Sequence, residues 1–143
     1  MMHPTTDHRR FVPIYPLHAV LLAGMLPLFL GALLSDIAYS ATYEPQWANF
    51  SSWLIVGAMI LCGFTLLWAA VDLIRSGGRE RQSWLYVALL SACFVLGFIG
   101  ALIHAKDAWA TMPAGLTLSV AVAMLAVAAT WVGFWGIGQG PAK

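Results

Sequence analysis

Charge is what this chain of 143 residues has least of: only 9% of it is Asp, Glu, Lys or Arg, while 61% is hydrophobic. A soluble domain carries roughly 25% charged residues, and one this small has too much surface to cover with so few. Water is therefore excluded as the solvent for most of its surface, and lipid takes that place. A net charge of +1 leaves no basic face to displace counterions from phosphates, which excludes nucleic acid as a partner. Cysteine is scarce as well. Cys62 and Cys93 both lie deep within apolar runs and read as small buried thiols rather than as a disulfide framework. Missing too are a phosphate-binding glycine loop, a Cys-x-x-Cys pair, an HExxH helix and a nucleophile elbow. The glycines Gly133, Gly136 and Gly138 have no strand before them and form no nucleotide fingerprint. No catalytic chemistry of the chain's own is expected.

What the chain does have is long uncharged runs. Phe11–Ser35, Pro45–Val71, Gln82–Ala105 and Ala108–Ala142 contain no Asp, Glu, Lys or Arg. Each exceeds the ~20 residues that a helix needs to cross a bilayer. Strands are excluded, because four of them cannot close a barrel and leave backbone groups unpaired in lipid. The expected fold is all-α, an integral membrane four-helix bundle. Its spans lie near residues 16–39, 50–74, 82–105 and 113–137, between a segment 1–15 and a tail 138–143. Arg9 and Arg10 precede a first apolar run too long for a cleaved signal, so it reads as a signal anchor. Pro16 and Pro113 suit helix starts, and Pro27 is expected to bend the first span.

The distribution of basic residues predicts orientation. Arg9, Arg10, Arg75, Arg79, Arg81 and Lys143 fall on one side, and Lys106 alone on the other. Positive residues collect in the cytoplasm, which predicts an N-in/C-in protein of a bacterial inner membrane. Trp53, Trp84 and Trp109 fall near expected membrane–water boundaries, where indole rings prefer to sit.

Ionisable residues inside hydrocarbon are costly, so their placement is informative. His18 and Asp36 are 18 residues apart, five turns, which puts them on one face of the first helix and roughly 27 Å apart along it. The third span runs parallel to the first, so His104 shares the depth of Asp36. Two polar clusters are expected: His104, Asp36 and Asp107 on the periplasmic side, and His18, Asp72 and Arg75 on the cytoplasmic side. Asp72 and Arg75 are also spaced as a boundary ion pair. Cys93, Gly97 and Ala101 form a small-xxx-small face for close helix packing, which turns His104 toward protein. Haem b is the one candidate cofactor, with His18 and His104 as candidate ligands. Their difference in depth disfavours a clamp by both within one chain, because axial ligands must meet one iron.

Several short motifs together resemble a known family. They are Tyr15-Pro16-Leu17-His18, Pro27-Leu28-Phe29, Ser35-Asp36, Trp47, Ser52-Trp53-Leu54-Ile55 with Gly57, Asp72, Ile103-His104, Trp109 and the run from Pro113 to Ser119. Over about residues 13–135 the chain resembles bacterial membrane proteins grouped as domain of unknown function 2231. The family's opening often repeats His-Pro, where this chain has Tyr15-Pro16 and His18-Ala19. The resemblance implies a four-helix inner-membrane protein and supplies no established activity. Fusion of some relatives to Rieske-type iron–sulfur domains hints at electron transfer, though this chain carries none of that domain's Cys/His ligand pairs. The expected role is a membrane anchor or partner subunit, as a homo-oligomer or within a larger complex. A b-type electron-transfer subunit between quinone and a periplasmic partner is the alternative. A small oligomeric transporter or proton path is the second.

Overall fold

The structure, a computed structural model, describes residues 16–77, 81–106 and 110–138, the side chains of 136–138 excepted. The segment 1–15, the tail beyond 138, Asp107 and Trp109 lie outside the described residues. Within them the architecture is all-helical: α1 (Pro16–Thr42), α2 (Pro45–Arg75), α3 (Arg81–His104) and α4 (Ala114–Gly138). All four are long and apolar enough to cross a membrane, where a helix satisfies its own backbone polar groups.

The connections are short and chemically explicit. After Thr42, Tyr43 turns left-handed at φ 54° and its N–H donates to the Tyr39 carbonyl at 2.8 Å. Glu44 is extended and Pro45 opens α2, a position where proline's missing N–H costs nothing. That proline starts α2 several residues before the span expected at Phe50. At 31 residues the helix measures about 46 Å, well over the ~30 Å of bilayer hydrocarbon. At its far end Ser76 N–H donates to the Asp72 carbonyl, and Gly77 at φ 70° breaks the helix. Pro27 lies inside α1, which continues through it.

Neighbours in sequence are neighbours in space, and α4 closes the ring against α1. Buried positions recur every three or four residues: Leu22, Met25, Phe29, Ala32, Asp36 and Tyr39 in α1, and Ser51, Ile55, Ala58, Cys62, Thr65 and Ala69 in α2. This is the rhythm of coiled-coil packing. Its small residues let helices approach closely where lipid supplies no hydrophobic drive. Leu22, Met25, Phe29 and Leu90 fill the centre. The thiols of Cys62 and Cys93 are free and buried, each directed at a carbonyl of the next helix, Leu90 and Val122, at 3.9 Å.

In α3 the buried face runs through Leu90, Cys93, Gly97 and Gly100. Cys93 and Gly97 lie on it, whereas Ala101 is only half-buried, because the face steps three residues from Gly97 rather than four. A Cβ on Gly97 would come 2.6 Å from the Met59 sulfur, so glycine there permits the contact with α2. Large apolar side chains such as Val20, Leu34, Trp53, Ile74 and Trp131 point outward.

Candidate functional site

The C-terminal ends of α1 and α3 and the N-terminal ends of α2 and α4 share one end of the bundle. Each contributes one polar side chain to a common point. Asp36 of α1 and His104 of α3 meet at 2.9 Å, Oδ1 to Nε2, with side chains 0% and 1% exposed. The Ser119 hydroxyl of α4 donates to the other carboxylate oxygen, Oδ2. Ser51 of α2 stands 3.4 Å from His104 Nε2 and donates its own proton to the Ala32 carbonyl. Asp36, Ser51, His104 and Ser119 thus form a four-helix clasp.

The hydrogen-bond pattern assigns the protons. His104 Nδ1 is 2.8 Å from the Gly100 carbonyl, which only accepts, so Nδ1 carries hydrogen. Because Ser51 donates to Ala32, it offers a lone pair to Nε2 and favours hydrogen there too. The arrangement suits an imidazolium facing a carboxylate whose two oxygens are both engaged, the condition under which a buried pair is tolerated. Gly115 makes the space: a Cβ on it would lie 3.2 Å from His104 Cε1 and 2.7 Å from Thr111 Cγ2.

The clasp does not have the layout of a hydrolytic triad. A triad sets serine and carboxylate on opposite nitrogens of the imidazole. Here Ser51 and Asp36 share Nε2, and the backbone holds Nδ1. The adjoining void, lined in part by Phe29, Gly100 and Ser119, is about 10 Å³, the lower limit for one water molecule.

At the opposite end, His18 Nε2 lies 3.0 Å from the Tyr86 hydroxyl, and its ring is 6.0 Å from that of Trp68. His18 Nδ1 is buried without a partner among the described residues. Asp72 and Arg75 are exposed. Among the described residues no direct ion pair joins Asp72 or Arg75 to His18, although the Asp72 carboxylate is near enough to act on the imidazole through space. Tyr86 was not among the residues expected to matter. Yet it precedes His104 by 18 residues, as His18 precedes Asp36, and the same helical arithmetic finds it.

Of the two candidate haem ligands, His104 fits poorly. Both nitrogens of His104 are engaged in hydrogen bonds, which leaves no lone pair for iron. Tyr86, the neighbour of His18, is 18 residues and roughly 27 Å from His104 along α3. Among the described residues no three His, Cys, Asp or Glu side chains gather as metal ligands.

A family model described as "Predicted membrane protein (DUF2231)" matches residues 14–136. No curated protein and no solved structure matches the chain.

Proposed function

We propose a role from two facts: the chain belongs to the DUF2231 family of predicted membrane proteins, and its four helices meet in one buried polar clasp. The role is that of a membrane anchor or partner subunit, without catalysis of its own, in a homo-oligomer or larger membrane complex. The clasp is the observation that carries this reading. Asp36 and His104, buried at one end of the bundle, spend their hydrogen-bonding capacity on bonds within the protein, between helices and to the Gly100 carbonyl of α3. What remains for interaction is the outer surface, rich in exposed aromatics such as Trp47, Trp53, Trp131 and Trp135. The same reading places both termini in the cytoplasm of a bacterium, with the clasp on the periplasmic side of its inner membrane, as the positive-inside rule favours.

Extraction into polymer-bounded lipid discs, followed by mass measurement, tests it. A protein mass well above the 15.5 kDa of one chain is expected, and a uniform population of single chains would overturn the role. The electron-transfer alternative has one supporting observation, the unpartnered Nδ1 of His18. An absorption spectrum of the same discs separates the two, since a Soret band would favour haem.

A further inference from the structure

Between the start of α1 and the end of α2 runs a groove of about 490 Å³. Leu17 and Leu21 form one wall, and Phe64, Leu67 and Val71 the other. Its apolar sides are open, with Leu17 and Leu67 57% and 62% exposed. At one end stand two opposite charges, Asp72 and Arg75, both exposed. They are one helical turn apart, yet no ion pair joins them among the described residues.

We infer that this groove is a binding site for a phospholipid whose headgroup carries a primary ammonium as well as a phosphate, that is, an ethanolamine lipid. Length is the first reason. From Phe64 to Arg75 the groove covers roughly 16 Å of helix, about half of a ~30 Å hydrocarbon core. It therefore spans one leaflet, with its charged end at headgroup level beside the α2–α3 connection. Charge is the second reason. The Arg75 guanidinium matches a phosphate in fork geometry, and the Asp72 carboxylate accepts N–H donors. A lipid with phosphate alone would meet Asp72 as a repulsive neighbour. A choline lipid has no N–H to give. Ethanolamine satisfies both side chains while its acyl chain lies along the leucines.

Native mass spectrometry of the delipidated full-length protein, titrated with ethanolamine, choline and glycerol phospholipids of identical acyl chains, tests the assignment. The ethanolamine lipid should bind about tenfold more tightly than the choline lipid, a difference of about 1.4 kcal/mol. Asp72→Asn should abolish that preference while leaving choline-lipid binding unchanged. Arg75→Gln should weaken all three lipids. Glu44→Gln, at the opposite end of α2, serves as the control and should alter nothing. Equal binding of ethanolamine and choline lipids by the unaltered protein would overturn the inference. So would tighter binding of the anionic glycerol lipid, which would mark a site for phosphate alone, or an ethanolamine preference that survives Asp72→Asn.

Discussion

Asp36–His104 and His18–Tyr86 join the same two helices, and both pairs are separated by 68 residues. Equal separations at the two ends mean that α1 and α3 run parallel across the bundle without changing register. The chemistry of the two links differs. One sets a carboxylate against an imidazole, with serines from α2 and α4 completing the contact. The other sets a phenol against an imidazole, with Trp68 of α2 beside it. A hydrogen bond to a charged group is about twice as strong as a neutral one, but its partners are far more costly to strand. Loss of the clasp is therefore expected to cost more than loss of the tyrosine link.

The largest effect should come from splitting the charged pair. His104→Ala leaves the Asp36 carboxylate buried beside Ser119 alone, and should cost about 3–5 kcal/mol of unfolding free energy in detergent. The double variant Asp36→Leu with His104→Leu should recover most of this loss, since apolar replacement of a whole buried pair is often neutral. If the double variant is less stable than His104→Ala, the clasp is not an interdependent unit. Next in size comes the middle of α3, between the two links. Gly97→Leu must displace Met59 and should cost about 1–3 kcal/mol or more through overpacking. Leu96→Ala on the half-buried neighbouring face should cost less, and equal melting temperatures would contradict the close-packing account. Smallest is Tyr86→Phe, which removes one neutral hydrogen bond and should cost about 0.5–1.5 kcal/mol. A loss as large as that of His104→Ala would erase the distinction between the ends.

Much of this was legible in residue spacing, and particular residues show where legibility stopped. Uncharged runs located all four helices, and the 18 residues from His18 to Asp36 set the depth at which His104 met a carboxylate. Ser51 and Ser119 escaped notice because each helix is apolar around its whole circumference. A pattern without a polar side cannot say which face turns inward. For the same reason the spacing of four from Gly97 pointed to Ala101, whereas the buried face continues through Gly100, ~100° of rotation away. Tyr86 lies on an equally apolar helix, and only the fold brings its hydroxyl to His18. Asp72 and Arg75 share a depth with His18, and Asp72 acts on the imidazole through space without a direct bond. Pro45, by contrast, was readable: a proline at the first helical position would have started α2 where it does start.

The membership of the clasp also bears on how the protein is made. Asp36 and Ser51 belong to the first helical hairpin, His104 and Ser119 to the second. A ribosome delivers them in that order, so the first hairpin enters the membrane before its acid has a counter-charge. Asp36 stands about 9 Å from the last residue of α1, near enough to the end of the helix for water to attend it in the interval. In the finished bundle, with α3 and α4 in place, Asp36 is fully enclosed, at 0% exposure. A chain stalled after α2 lacks His104 and Ser119, the two side chains that bond this acid in the completed bundle.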